Sequence, residues 1–506
     1  MKNNKDFKRI TLLNIFANIL LQFANIFSWF IIPKIILSNF GSDVNGLVSS
    51  ITQFLSYITL VEGGITGVVT ATLYKPLIEN NVKKISSIIK TSNIFYKKIG
   101  IIFILYCVLL AIIYPILFDI NFSYFYVFSL VIILSLNLLI QYMFSITLKN
   151  LLNADKKCYV VSFVQTIILI LGVILSYISI KIYPSIHLLK LLTGLLFVLQ
   201  PIMFNIYVKK NYDIDNNVDE DKNLLKQRWN GFTINIAAFI HNCTDTAILT
   251  IFTNFSTVSI YSVYTIVTNG LRSIFNAISN AIVPTIGLAY AQQNIKELNE
   301  KMDLYEFITF NLVFYMFTIA GLLITPFVLM YTSGINDANY NQPLFGILLI
   351  MAEGLYLIKF PHLNLSYTAN KFKELTKPAF IEAVINIIIS LLLVNKYGLI
   401  GVTIGTICAM IYRMIFQVYF TKQLVKNRSQ KNFYKKFVIF IIFTLIGLIF
   451  SNLIIIKNEI NIINWFLNAV LYAIIFGILY LLADIIFFKK EMVMIKQYIL
   501  GGKKNL

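Results

Sequence analysis

Apolar residues run along this chain in long blocks separated by short polar segments, with little of the period-two alternation that marks strands. Crossing a bilayer core takes a helix of about 20 mostly apolar residues. Fourteen stretches qualify: 10–37, 44–73, 99–118, 123–148, 158–180, 186–208, 229–254, 258–289, 304–331, 343–367, 379–395, 399–421, 437–456 and 461–488. The pattern predicts an all-α integral membrane protein of about 14 transmembrane helices. Most connections are short. The longest, 74–98 and 209–228, are polar.

The order of these stretches repeats after about 215 residues. Asn153-Ala154-Asp155-Lys156 precedes the fifth stretch as Thr368-Ala369-Asn370-Lys371 precedes the eleventh. Leu73-Tyr74 ends the second as Ala289-Tyr290 ends the eighth, and Pro115 lies late in the third as Pro326 does in the ninth. The offsets are 211–216 residues. Six spans is an even number, so the halves keep one orientation, as in transporters built from parallel repeats. The expected organisation is an N-terminal lobe (1–208), a linker (209–228), a C-terminal lobe (229–425), an extra helix pair (433–488) and a tail (489–506). The linker carries Asp213, Asp215, Asp219, Glu220 and Asp221 without hydrophobic periodicity, and reads as a solvated tether.

Composition excludes a soluble protein. The 506 residues are 58% hydrophobic and 13% charged, against about 45–50% and about 25% in soluble domains. The net charge of +19 therefore bears on membrane orientation, and nucleic acid is not an expected partner. With the N-terminus in the cytoplasm, cytoplasmic segments hold 34 Lys/Arg and 13 Asp/Glu, and external segments hold four of each. This asymmetry puts both termini inside the cell. Lys2, Lys5, Lys8 and Arg9 precede an apolar stretch too long for a signal peptide, so the first span is expected to be retained. Cys107, Cys158, Cys243 and Cys408 lie in or at spans without CxxC spacing and read as small apolar fillers.

The chain has no phosphate-binding GxxxxGK[ST], no HExxH and no metal-ligand cluster, and only three histidines. External loops are too short to hold a catalytic domain, which argues against a membrane-bound polymerase or scaffold.

Candidate chemistry lies in the charges within the spans, because an ionisable group at mid-bilayer needs a partner or a watery cavity. Four are basic: Arg272, Arg413, Lys359 and Lys34. For Arg272 the functional reading is a clamp on phosphate oxygens, since a guanidinium stays charged and makes paired hydrogen bonds. The alternative is a structural ion pair with an acid on a neighbouring span. Lys34 lies near the outer end of its span and is within reach of the interface. Glu62, Asp245 and Glu353 are the deeply placed acids. Glu62 precedes Gly63-Gly64, so a carboxylate stands beside a weakened helix, where it either takes up a proton or cation or pairs with a base. His241 and Asp245, four residues apart, share a helix face, as a proton-sensitive pair or as a His hydrogen-bonded within the bundle and an Asp paired to Arg272. Glu382 follows Pro378 and reads as a first-turn residue at a helix dipole. Glu306 and Asp484 read as interfacial.

Several motifs, in order, resemble polysaccharide flippases of the multidrug/oligosaccharidyl-lipid/polysaccharide exporter superfamily. They are Leu60-Val61-Glu62-Gly63-Gly64-Ile65 continuing to Leu73-Tyr74-Lys75-Pro76-Leu77, then Asn242-Cys243-Thr244-Asp245 followed by Val258 to Tyr264. Ala369-Asn370-Lys371 follows, through Ile381-Glu382-Ala383 and Asn386 to Tyr397-Gly398-Leu399-Ile400-Gly401-Val402 and Gly405-Thr406. The resemblance covers about residues 8–425. It implies alternating-access translocation of undecaprenyl-diphosphate-linked oligosaccharide repeat units to the outer leaflet, for a capsule, exopolysaccharide or similar surface polymer. In such proteins two six-helix lobes surround a cationic cavity, and members with fourteen helices hold the lipid tail with the last pair. On that reading Arg272, Arg413, Lys359 and Lys34 form a diphosphate clamp, and Glu62, Asp245, His241 and Glu353 serve coupling or ion pairing. The partners are the lipid-linked oligosaccharide and membrane lipids, with a polysaccharide polymerase and glycosyltransferases nearby. No cofactor is implied, and coupling to a proton or sodium gradient or to the membrane potential stays open. Drug or organic-cation exporters of the same superfamily are the alternative, with Glu62 as their carboxylate.

Overall fold

In the computed structural model, residues 4–62, 64–118, 122–215, 217–221, 224, 239, 243–425, 428–453 and 461–500 are described. Among them the only regular structure is helix. His241, Asn242, Gly63 and the first half of the seventh stretch, except residue 239, lie outside the described residues.

Twelve described helices are long and apolar enough to cross a membrane, and Ile65–Ile78 and Cys243–Phe252 are shorter apolar helices. The first stretch and the start of the second merge into α1 (Asn4–Leu55). At about 1.5 Å per residue, α1 is roughly 75 Å long, far more than one crossing needs. Its geometry breaks at Gly41, with φ 80° and ψ −179°, a backbone state that only glycine adopts cheaply. The break divides α1 into two helical segments. The chain forms two compact units, residues 1–259 and 260–506.

The first unit continues with α2 (Thr59–Glu62), α3 (Ile65–Ile78), α4 (Val82–Leu117), α5 (Tyr124–Ile140), a π-helical turn (Gln141–Ser145), α6 (Ile146–Ala154), α7 (Cys158–Ile182), α8 (Ile186–Leu195), α9 (Leu199–Asn211) and α10 (Cys243–Phe252). The second holds most of α11 (Phe255–Ala291), then α12 (Ile295–Tyr331), α13 (Pro343–Ile358), α14 (Phe360–Thr368), α15 (Phe372–Tyr397) and α16 (Leu399–Leu424). It ends with α17 (Gln430–Leu453), α18 (Ile462–Phe487) and α19 (Lys489–Leu500).

The repeat is visible in the turns. Asn80 and Gln293 both take positive φ, 51° and 54°. The asparagines that follow them, Asn81 and Asn294, each cap the next helix by accepting a backbone N–H, from Lys84 and Glu297. Lys156 and Asn370 also take positive φ, 59° and 56°, between α6 and α7 and between α14 and α15. These four are the positive-φ residues other than glycine among those described. A turn that costs free energy for any side chain thus recurs at matching places in both units.

Burial explains the apolar composition. On α4, Phe103, Cys107, Ala111 and Tyr114 are buried, while Ile101, Leu105, Val108, Ile112 and Ile116 are exposed at helical spacing. An apolar face of that length suits lipid. Close packing brings α15 and α16 together along their length. A Cβ on Gly401 would stand 2.6 Å from the Leu393 carbonyl oxygen, and one on Gly405 would stand 2.9 Å from that of Asn386. Small residues four apart let the two backbones approach.

The acidic segment after α9 differs from the expected tether. It is strapped to the start of α4. Lys84 Nζ donates to Asp221 at 2.9 Å, Ser87 Oγ to the Asp219 carbonyl at 2.7 Å, and Lys90 Nζ to the Val218 carbonyl at 2.9 Å. The backbone N–H groups of Asp215 and Asp221 donate to Ser86 and Thr91. At its head, Tyr212 donates to Asp155 at 2.6 Å, and burial together with that carboxylate pushes the phenol's pKa up. Periodicity cannot anticipate such a strap, because its contacts are backbone groups meeting Ser, Thr and Lys side chains.

Candidate functional site

The second unit brings three of the four basic candidates into one network. Arg272 comes from α11 and forms an ion pair with Glu353 on α13. Lys359 stands at the junction of α13 and α14, where the fourth helix of the repeat breaks just before Pro361. Its ammonium group lies 3.4 Å from Glu382 Oε1 on α15 and 3.5 Å from Met410 Sδ on α16. Arg413, also on α16, approaches the other oxygen of the same carboxylate, Nε to Oε2 at 3.3 Å, and donates to the Leu375 carbonyl at 3.4 Å.

Tyr356 joins the two halves of this network. The Arg272 guanidinium lies 5.0 Å from its ring centroid and the Lys359 ammonium 4.4 Å. Both distances suit cation–π attraction, which strengthens where water is excluded. Exposure falls along the series. The Arg272 side chain is 17% exposed, Lys359 4% and Arg413 2%. In these pairs three cations meet two carboxylates, and Arg272 is the most exposed of the three.

Glu382 corrects the sequence-based assignment. The helix does not begin at Pro378; it begins at Phe372, with Pro378 inside it. Glu382 is therefore well past the first turn, buried and shared by two cations. The dipole account fails because the helix starts earlier than the proline suggests.

Glu306 has partners that the sequence did not show. It is buried and forms an ion pair with Arg428. Its other contacts are Lys436 Nζ at 3.1 Å and His362 Nε2 at 3.2 Å. Lys436 also reaches Glu491 on α19 at 3.8 Å. This cluster ties α12, α14, α17 and α19 together. Asp484 on α18 is buried as well and accepts from Asn311 on α12 at 3.3 Å. Basic residues placed outside the spans by the sequence reading, Arg428 and Lys436, supply the charge that Glu306 needs, so hydropathy alone does not expose the partnership.

In the first unit Glu62 is the last residue of α2, beside Gly64 at φ 77°. Its carboxylate accepts from Thr66 Oγ1 and, at 3.3 Å, from Tyr142 Oη. Thr66 also meets Tyr96 at 2.8 Å, and Asn150 donates to Tyr96 at 3.2 Å. Lys149 on α6 lies near enough for its charge to interact with Glu62. Tyr142 belongs to the π-helical turn, a local widening that aims one side chain out of helical register. Asp245 is buried on α10, and Lys34 lies half-exposed on α1. Both belong to the first unit, as does Glu62.

No protein-family model and no curated protein matches the chain. Solved structures do. The lipid II flippase MurJ, in an inward closed conformation, aligns with a TM-score of 0.70 at 17% identity, covering 96% of this chain and 99% of the flippase. The chain has that fold. An inward-facing MATE family multidrug resistance transporter of the MOP superfamily aligns with a TM-score of 0.58 at 15% identity, covering 79% of this chain and 96% of the transporter. The MATE multidrug transporter DinF-BH gives 0.60 at 14% identity, with 83% and 97% covered. Both multidrug transporters are covered nearly whole yet leave more of this chain unmatched than the flippase does.

Proposed function

We propose that the chain is a flippase for a polyprenyl-diphosphate-linked oligosaccharide, carrying the head group to the outer leaflet by alternating access for surface polysaccharide synthesis. The observation that carries this reading is one network in a single unit, in which Arg272 and Lys359 meet the Tyr356 ring and Arg272, Lys359 and Arg413 pair with two carboxylates. Buried basic groups held this way suit a ligand with several phosphate oxygens, and Arg272, the most exposed, receives it first. The tail stays in lipid. The coverage of this chain by the MurJ fold, 96%, supports a lipid-linked substrate, because it includes more than the drug transporters match. The charge asymmetry of the loops supports both termini in the cytoplasm of a plasma-membrane protein. The potential then favours outward movement of an anion by about 2.3 kcal/mol per charge per 100 mV.

Replacing Arg272 by Ala and by Lys, and following surface polymer production, tests the reading. The Ala variant, expressed at the normal level, is expected to abolish polymer export, and the Lys variant to retain part of it. Normal export from the Ala variant would overturn the assignment.

A second reading is drug or organic-cation antiport, favoured by Glu62 at a helix break with two hydroxyl donors. It predicts efflux of cationic dyes that stops in Glu62→Gln. In the flippase reading the same carboxylate serves a proton or cation that returns with the empty carrier.

A further inference from the structure

Helix α19 (Lys489–Leu500) starts two residues after the end of α18, a helix long and apolar enough to cross a membrane. We propose that the exposed face of α19 is a docking surface for the head groups of anionic phospholipids, which hold the C-terminal end of the chain at the bilayer surface. Docking of this kind is independent of the transported substrate.

Charge on α19 is sorted by side. At about 100° per residue, Lys489, Lys490, Val493, Lys496 and Gln497 fall on one arc of the helix, and all five are exposed. Glu491, Met492, Met494 and Ile495 fall on the opposite arc and are half-buried. Glu491 is the one acid of this helix, and it is turned inward to Lys436 Nζ on α17 at 3.8 Å. Lysines at other helix starts, such as Lys301 and Lys371, are neutralised by an acid of their own helix, Glu297 at 2.6 Å and Glu374 at 3.1 Å. Among the described residues no acid pairs with Lys489, Lys490 or Lys496. Their orientation is fixed at the junction. Phe488, buried between α18 and α19, stacks on Phe440 of α17 and meets Phe307 of α12 edge-on, with ring centroids 5.8 Å apart in both pairs.

Position selects the occupant. Leu482, Ile485 and Ile486, near the end of α18, are exposed apolar residues, so the lysines begin where a lipid-facing surface stops. Phospholipid head groups lie at that level. A lysine stem runs along apolar surface while its ammonium group reaches a phosphate. Val493, 53% exposed among the lysines, suits the same boundary, where an apolar side chain meets acyl chains. Each lysine near an anionic leaflet favours association by about fivefold. A zwitterionic lipid has no net charge to offer in return. Lipid docked on the outer face also keeps the inner face of α19 against Lys436, which Glu491 shares with Glu306.

Photo-crosslinking tests this. The full chain carrying Gln497→Cys, labelled there with a benzophenone, is placed in nanodiscs of phosphatidylcholine and phosphatidylglycerol in equal parts, with one lipid radiolabelled at a time. Background from the unsubstituted chain is subtracted. Phosphatidylglycerol is expected to be captured about threefold or more over phosphatidylcholine. Adding Lys489→Gln, Lys490→Gln and Lys496→Gln together is expected to bring that ratio to about one, and so is about 0.5 M salt, which screens exposed charge. Lys209→Gln with Lys210→Gln, two exposed lysines at the end of α9, is expected to leave the ratio unchanged. A ratio near one in the parent, a ratio that survives the triple substitution, or an equal fall in the α9 variant overturns the docking surface. Capture of neither lipid also overturns it, and leaves the lysines to an acidic soluble partner. All five positions are exposed, so substitution there does not disturb a packed core. Oligosaccharide translocation is not read in this experiment, so the flippase reading stands or falls separately.

Discussion

Lys359 and Glu382 meet at 3.4 Å with 4% and 5% of their side chains exposed. They come from different helices, one at a helix break and the other deep inside a helix. Arg413 shares the carboxylate at 3.3 Å. A pair this well buried costs desolvation on both sides, and its removal is felt mainly through the charge left behind.

Glu382→Ala is expected to destabilise the protein by about 3–5 kcal/mol, because two buried cations lose their counterion. Glu382→Gln, which keeps a hydrogen-bond acceptor, is expected to cost less. Thermal unfolding of the purified protein in detergent ranks the two. An Ala variant as stable as wild type would show that the carboxylate is not the counterion described.

The Glu306 cluster is expected to anchor the C-terminal helices. Glu306→Ala leaves Arg428 and Lys436 without the carboxylate they share, at a cost of about 3–5 kcal/mol. Limited proteolysis after α16 reads the effect, and faster cleavage between Val425 and Gln430 is the expected result. Unchanged cleavage and melting would mean that Asp303 and Glu491, the other acids at Arg428 and Lys436, suffice.

Close approach of α15 and α16 leads to a third expectation. Gly401→Val forces a side chain against the Leu393 carbonyl, and overpacking of this kind costs about 1–3 kcal/mol or more. Expression and melting temperature are expected to fall. They should fall less for Gly67→Ala, where a Cβ meets nothing within 4 Å.

At the other carboxylate, Tyr142→Phe removes one hydrogen bond to Glu62 and is expected to cost about 0.5–1.5 kcal/mol. Glu62→Gln is expected to fold yet lose the dependence of transport on an imposed proton or sodium gradient in proteoliposomes. Gradient-driven transport unchanged in Glu62→Gln would remove this residue from coupling.

The helical class, the spans and the repeat were legible in the sequence, because lipid demands long apolar runs and the turns between repeats demand unusual residues. Asn81 and Asn294 stand where each repeat starts a helix, and hydropathy brackets them. The basic trio Arg272, Lys359 and Arg413 was also legible as residues, since charges are conspicuous in apolar stretches. Their partnership was not. Glu382 looked terminal because Pro378 suggested a helix start, and the pairing of Glu306 stayed hidden because Arg428 and Lys436, its counterions, lie outside the apolar runs. The docking of the acidic strap on α4 left no periodic trace, since it rests mostly on hydrogen bonds to backbone groups. A one-dimensional pattern reports burial against lipid well, but it carries no record of which distant charges meet.

The most direct test is translocation itself. Purified wild-type protein and R272A are placed in proteoliposomes with a short-chain polyprenyl-diphosphate oligosaccharide, and arrival of the head group at the far leaflet is followed with an impermeant glycan-oxidising reagent. The wild type is expected to move the lipid and the Ala variant to be slower by about tenfold or more, the equivalent of about 1.4 kcal/mol. Equal rates in the two, or no movement by the wild type beyond protein-free liposomes, would contradict the proposed flippase.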